Sequence, residues 1–503
     1  MQRKKTKYIE TDVLVIGSGI AGLYFALNMA KKSKVVIATK KELMESNSNY
    51  AQGGIAAVLD PLDNYTAHIK DTMNAGGNIN SKKAVEILVK EAPKHIHNLI
   101  DLGVGFNRNE GKLDLTREGG HSNRRIVHVN DATGREVERA LIFNTRNHKN
   151  IKAYESIIAL DLITNKKGEK VCGATLFDHV NNQYIVCHAK FVVLATGGCG
   201  QVYQHTTNPK IATGDGVAMA QRAGADLKGM EFIQFHPTTL NLPGKPHFLL
   251  SESLRGEGAV LRDAKKKRFM SKYSASKELA SRDIVSRAVF TELQKGPVYL
   301  DISHKPSKYI KNRFPYIYEQ LWWYNLKLDK DLIPISPAAH YLCGGVNTDL
   351  HGRSSINGLY VIGESAHTGV HGGNRLASNS ILECLVFASR ASSSIATALP
   401  KTRFIKGQVP TLNKIITTPK RVHYLKKRVK DIMWDNVGIV RDSKILTATH
   451  KKLSTINNEL QLIQLKGTNV NIQETINITQ VAMAITAAAI KRKDSVGAHY
   501  VKD

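Results

Sequence analysis

The segment "TDVLVIGSGIAGLYFALNMAKKSKVVIATK", residues 11–40, is where the fold is read. Its opening "TDVLVI" (11–16) is a β-branched run of the kind buried in a parallel sheet. "GSGIAG" follows, then "LYFALNMAKK" with helical periodicity, then a second strand in "KVVIATK". Strand, glycine turn, helix and strand within about 30 residues open a dinucleotide-binding α/β fold. Gly17 permits the tight turn, Gly19 lets backbone approach a pyrophosphate, and Gly22 allows helix and strand to pack closely. The free N–H groups of the helix N-terminus face the anion. A nicotinamide enzyme would end its second strand in Asp or Glu to hold a ribose hydroxyl; Thr39 and Lys40 stand there instead.

Working outward, "FVVLATGG" (191–198) and "GLYVIGE" (358–364) are later buried-type strands, and Glu364 closes the second with a carboxylate suited to flavin ribityl hydroxyls. Three such pieces in this order point to FAD. Between them the texture changes: "FHPTTLNLPGKPHF" and "FPYIYEQLWWYNL" concentrate proline and aromatic residues. We read residues 230–341 as an inserted α+β capping domain. The FAD-binding Rossmann-like domain is then discontinuous, 1–229 and 342–411, and residues 412–503 form a C-terminal helical domain.

A chain of 503 residues, 42% hydrophobic, suffices for two or three domains. Its five cysteines are scattered and odd in number, which suits free thiols in a reducing cytoplasm. No pair has metal-ligand spacing backed by a second pair, so no metal site is expected. No apolar run reaches the roughly 18 to 20 residues that span a bilayer, so stable membrane insertion is not expected either. The basic, then apolar N-terminus only mimics a signal peptide, because its apolar part runs straight into the glycine loop.

The net charge is +28, from 71 basic and 43 acidic residues. Residues 401–503 alone carry 19 Lys/Arg against 7 Asp/Glu, a net of +12. "KKKR" (265–268) and "KRVHYLKKRVK" (420–430) are the dense clusters. Solvated faces are the plain reading. A nucleic-acid or membrane-surface binder on a flavin scaffold is the alternative, but aromatics interleave these charges only thinly and no nucleic-acid motif is present, so no nucleic-acid partner is expected. A field of this sign also draws anionic metabolites.

One helix is odd. "ELASRDIVSRAVFTEL" (278–293) places Val285, Ala288, Val289 and Leu293 on one stripe and pairs Asp283 with Arg287 four residues on. Arg282 continues the apolar stripe, so a guanidinium points inward. By itself this reads as a buried structural ion pair or as a functional cation. His236 and His340, taken alone, read as structural histidines, and His95 and His97 as helix-surface residues without a role.

The motifs decide among these alternatives. "NYAQGGIAAV" (49–58), "REGGHSNRRIVH" (117–128), "EFIQFHPTTL" (231–240), "SESLRGEGA" (251–259), "SRDIVSRA" (281–288), "LDISHKP" (300–306), "PAAHYLCGGV" (337–346) and "HGGNRLASNSILECLVF" (371–387) resemble the succinate dehydrogenase/fumarate reductase flavoprotein superfamily, and within it the L-aspartate oxidases. The resemblance runs from about residue 10 to 500.

It implies FAD held by Gly17, Ser18, Gly19, Ile20, Ala21, Gly22, Lys40, Asn47, Ser48, Asn49, Tyr50, Ala51, Gln52, Gly53, Gly54, Asp215, Glu364, Ser380 and Ile381. Respiratory relatives have, where Asn47 stands, a histidine that links covalently to FAD; with Asn47 the flavin is expected to be non-covalent. His236, Ser251, Glu252, His340 and Arg375 are implied substrate residues, Ser251 standing where the family more often has Thr. Arg282 matches the family's proton-transferring arginine, alone or relayed through Glu252 and Arg255, while a hydride leaves for the flavin.

Glu118 matches an acid that aspartate oxidases carry and succinate-oxidising relatives lack; the alternative is a surface glutamate on a loop. The implied reaction is oxidation of L-aspartate to iminoaspartate, the first step of de novo NAD biosynthesis. Oxygen or fumarate would be the acceptor, quinolinate synthase would be functionally coupled downstream, and the setting would be cytoplasmic. The alternative is a soluble fumarate reductase or succinate dehydrogenase flavoprotein.

Overall fold

The structure is a computed structural model that describes residues 6–502; the first five residues of the expected FAD domain and Asp503 lie outside the described residues. Strand β1 (Lys7–Ile16), helix α1 (Ile20–Ala30) and strand β2 (Val35–Ala38) follow the opening pattern. The two strands pair in parallel, Val13 opposite Val35. Val13–Ile16 and all of β2 are buried, which explains their unbroken apolar run: the sheet is covered on both faces. Gly17 sits at φ +111°, and a Cβ there would fall 2.2 Å from the Ala195 carbonyl oxygen. A Cβ at Gly22 would meet the Gly17 carbonyl oxygen at 2.2 Å. Both glycines are steric requirements of the strand–turn–helix packing.

The main sheet has seven strands, ordered Ile151–Tyr154, β2, β1, Gln183–Leu194, Val171–Asp178 and Ile157–Thr164. Leu359–Val361 joins the end of Gln183–Leu194 in parallel, Val192 opposite Leu359. The strands read in "FVVLATGG" and "GLYVIGE" are therefore neighbours, although more than 160 residues separate them. Helix Asn379–Ala398 packs on α1, and Leu23, Phe25, Leu382, Leu385 and Phe387 share one core.

A second, antiparallel sheet runs Ile233–Leu240, Ile333–Leu342, Val298–Asp301, Val260–Arg262. It has its own core, including Leu254, Leu300, Phe314 and Ile333. Helices Lys420–Asn436, Ser443–Lys466 and Val470–Lys491 close the chain, and Val429, Met433, Val481 and Ile485 pack against Tyr203, Val217 and Phe235. Lys420–Asn436 buries Val422, Leu425, Val429, Ile432 and Met433, leaving Arg421, Lys427 and Arg428 exposed on the opposite face. All five cysteines are free. Among the described residues no helix is long and apolar enough to cross a membrane, and no group of three or more His, Cys, Asp or Glu is placed to hold a metal ion.

Two expectations need correction. The helix read over 278–293 begins at Arg282; Lys277–Leu279 is a separate 3-10 turn, and Ala280 and Ser281 are extended. Ser281 spends its hydroxyl on Asp283, at 2.5 Å. The expected Asp283–Arg287 pair forms, at 2.9 Å. His95 does not lie on a helix surface: it is fully buried in Lys82–Asp101, with Nδ1 2.9 Å from the Tyr24 hydroxyl. It occupies the apolar face beside Leu88, Ala92 and Leu99, and the buried phenol partners Nδ1, while Nε2 lies 3.9 Å from Glu91 Oε2. His97 is exposed as expected.

Candidate active site

The glycine loop, the second sheet and the C-terminal helices meet around one cleft of about 1250 Å³. At one end α1 begins on Gly19 with no side-chain cap of its own, Ile20 N reaching Ser48 Oγ at 3.4 Å, so a helix N-terminus that favours an anion faces the cleft. Nothing lies closer than Ser48 Oγ, at 3.4 Å, to a Cβ built on Gly19, which leaves a cradle beside the loop. Helix Asn379–Ala398 also starts uncapped, with Ser380 and Ile381 on the cleft wall. Among the described residues the buried side-chain oxygens of Asn47 and Asn49 have no partner. Asn47 Nδ2 donates to Glu364 Oε2 at 3.2 Å, and Leu342 N donates to Oε1 at 3.0 Å. Burial pushes the Glu364 carboxyl up to about 7, so it both donates and accepts near neutrality, as a polyol requires. A helix N-terminus at the cleft, the cradle beside it and orphaned acceptors fit a dinucleotide with a polyol linker.

The structure brings Gly17, Ser18, Gly19, Ile20, Ala21, Asn47, Ser48, Tyr50, Ala51, Gln52, Gly53 and Gly54 to this wall. Gly22 and Asn49 stand behind it. Lys40 and Asp215 are also on the wall, but their charges are already engaged. Lys40 Nζ donates to Thr213 Oγ1 (2.7 Å), Asp215 Oδ2 (2.8 Å) and Glu474 Oε1 (2.9 Å), using all three hydrogens. Asp215 Oδ1 accepts from Thr213 and from Asn477 Nδ2, both at 2.8 Å. The Gln52 amide donates to Leu249 O and accepts from Ser251 N, so it pins the capping segment that carries Ser251.

At the other end Arg282, the first residue of its helix and 7% exposed, donates from Nε to Glu252 Oε2 at 2.5 Å and from Nη1 to Gln234 Oε1 at 3.0 Å. Among the described residues its Nη2 has no partner. Glu252 also pairs with Arg255 at 3.5 Å. Burial alone would raise Glu252, but Arg282 and Arg255 outweigh it and hold the carboxyl below its usual range. The buried ion pair foreseen for Arg282 thus exists, and it faces the cleft.

His236 and His340 stack edge to face with centroids 5.0 Å apart. Burial, then the nearby Arg282, pushes both far below an ordinary histidine, so both rings are neutral. Thr207 Oγ1 lies 2.8 Å from His340 Nδ1, and the Thr238 backbone holds His236 Nδ1, leaving each Nε2 toward the cleft. Arg375 donates to Ser380 Oγ at 3.1 Å and lies 4.4 Å above the Tyr341 ring, with its buried Nε unpaired. Ser251 caps the short helix Glu252–Gly256.

Glu118 is 3% exposed, so it is no surface loop residue. It accepts from Ser378 Oγ at 2.5 Å, and burial followed by the Glu252 charge raises its pKa. Cations, neutral imidazoles and an unbalanced acid therefore share one desolvated pocket, suited to a dicarboxylate that also carries an ammonium.

Gln234, Ser378, Thr207 and Glu474 were not foreseen as site residues. Gln234 had a signal: Gln234, His236 and Thr238 alternate along a wholly buried strand and share one face. Ser378 had none, because its role rests on a left-handed backbone, φ +60°, in a non-glycine residue.

Comparison with known proteins agrees with this geometry. The FAD binding domain family matches residues 12–381, and the fumarate reductase flavoprotein C-terminal family matches 426–503. The chain is 44% identical to an L-aspartate oxidase of Yersinia pestis over 98% of this chain and 96% of that protein. It is 41% identical to a chloroplastic L-aspartate oxidase of Arabidopsis thaliana, over 99% and 81%. Among solved structures it superposes on a substituted form of E. coli quinol fumarate reductase FrdA with TM-score 0.91, at 28% identity over 99% of this chain and 92% of that one. With Mycobacterium smegmatis Sdh1 the TM-score is 0.84, at 30% identity over 98% and 89%. The match thus runs over nearly the whole chain in sequence and in shape: the chain belongs to the L-aspartate oxidases of the succinate dehydrogenase/fumarate reductase flavoprotein superfamily and is an FAD-dependent oxidoreductase.

Proposed function

We propose that the chain oxidises L-aspartate to iminoaspartate, opening de novo NAD biosynthesis, with oxygen (giving hydrogen peroxide) or fumarate taking the electrons onward. Buried Glu118 carries this reading. A plain dicarboxylate gives it nothing to hold, whereas the ammonium of aspartate relieves its repulsion by Glu252. Arg375 grips one carboxylate from its guanidinium, whose Nε has no partner among the described residues. His236, His340 and Ser251 take the other. Bound FAD, held non-covalently with Asn47 beside it, supplies the two-electron acceptor. In its neutral form Arg282 takes the substrate's proton at Nη2 and becomes the guanidinium, and Glu252, bonded to Nε with Arg255 behind it, balances the charge gained. Because burial and Arg282 hold His236 and His340 far below an ordinary histidine, their rings are weak bases that bind and orient without competing for that proton.

The released imine hydrolyses in water, which favours prompt consumption by quinolinate synthase in the cytoplasm. The test is anaerobic: L-aspartate should bleach the bound flavin of the purified protein, and succinate should do so far more slowly. Bleaching by succinate alone would establish a soluble fumarate reductase or succinate dehydrogenase flavoprotein instead.

A further inference from the structure

Behind the substrate pocket lies a buried array that the reaction does not use. Glu118 and His121 share one turn, with His121 N bonded to Glu118 O at 3.3 Å. Both reach the segment that leads from Arg375 into helix Asn379–Ala398. Glu118 accepts the Ser378 hydroxyl, and His121 Nε2 lies 3.0 Å from Ala377 O. His121 Nδ1 is 3.3 Å from Arg125 Nη1, a group that only donates. Nδ1 must therefore accept, the proton sits on Nε2, and the ring donates to Ala377 O.

Arg125 is fully buried and rigidly held. It makes a bidentate pair with Asp63, both bonds 2.8 Å, and a third bond to Asp71 at 2.6 Å. On the far side of Ala377, His68 Nε2 lies 3.0 Å from Asn379 Oδ1, and Asn379 Nδ2 donates to Thr72 Oγ1 at 3.0 Å. The residue so bracketed, Ser378, holds a left-handed backbone that serine adopts only under constraint.

We infer that His121 is a positioning residue: by tying the Glu118 turn to Ala377 O it sets the spacing between the amine acceptor Glu118 and the carboxylate-binding Arg375, and so favours an amino dicarboxylate over a plain one. This rests on the aspartate reading above. The experiment uses flavin-loaded protein and two ligands. Aspartate, which needs both Glu118 and Arg375, is followed by steady-state kinetics. Succinate, which lacks the amine, is followed by titrating the absorbance of the bound flavin.

His121→Leu should raise the KM for aspartate roughly tenfold, the size of one buried hydrogen bond lost, with kcat changed less. Its succinate Kd should move less than about twofold. His121→Gln, which keeps an N–H donor, should restore most of the loss. If His121→Leu does not fold, His121→Asn, whose amide is too short to span to Ala377 O, carries the same expectation. Equal weakening of both ligands, or of neither, in a parent that oxidises aspartate overturns this inference alone. A parent that ignores aspartate overturns the substrate reading, and the inference with it.

Discussion

Arg282 shows how little of a residue's role lies in its type. An arginine on an apolar stripe is read as misplaced; here it heads its helix, where the dipole disfavours a cation, and Glu252 compensates. That arrangement separates its two ends: Nε is fixed to a carboxylate, and Nη2 is left for the reacting molecule. Arg282→Leu should cut aspartate turnover by roughly 10²- to 10⁴-fold, the usual weight of a proton-transfer group, and leave the flavin spectrum intact. Stopped-flow reduction of the bound flavin measures it. Retention of more than a tenth of the parent rate would remove Arg282 from the reaction.

At the scale of elements, the glycine loop and the C-terminal helices have opposite histories. β1, Gly17–Gly22 and α1 are contiguous, and their local chemistry dictates their packing. Helix Val470–Lys491 has no such signal, yet its Glu474 and Asn477 bond to Lys40 and Asp215 on the cleft wall. Glu474→Gln removes one of two carboxylates from a largely buried ammonium. It should destabilise the fold by about 2 kcal/mol, the scale of a hydrogen bond to a charged group, and weaken FAD retention. Thermal unfolding with and without added FAD reads both; an unchanged Tm in both conditions would make this ion cluster incidental.

For the whole molecule, charge and burial set the response to solution conditions. Burial holds His68 at about 3 and His121 at about 4, below their unfolded value of about 6.5. The unfolded chain therefore takes up protons first on acidification. Stability present above about pH 6.5 should be lost toward pH 4, by at most about 1.4 kcal/mol per pH unit for each such histidine. Glu138, raised by burial to about 8, acts in the opposite sense as pH increases from its ordinary range. Tm measured against pH should fall on the acid side, and His68→Leu should flatten that limb; a slope unaltered by the substitution counts against this account. The net charge of +28 adds a long-range field, so raising ionic strength should lower kcat/KM for aspartate, a net anion, more than kcat. Equal effects on both would show that the field does not guide substrate.

From residues 11–40 the nucleotide-binding architecture was legible, because the close contact of Gly22 with Gly17 lies within that segment, although the contact that Gly17 makes with Ala195 needed a strand distant in sequence. The motifs around Glu118, His236, Arg282, His340 and Arg375 likewise held residues that the fold brings to one cleft. Tertiary structure alone decided which of those groups remain free to act. Lys40 and Asp215 neutralise each other, Gln52 is spent on the capping segment, and His95 is buried against Tyr24, while Gln234 and Ser378 enter the site unannounced. The reason is that hydrogen-bond saturation and burial depend on partners 48 to 260 residues away in the chain, which no local pattern encodes.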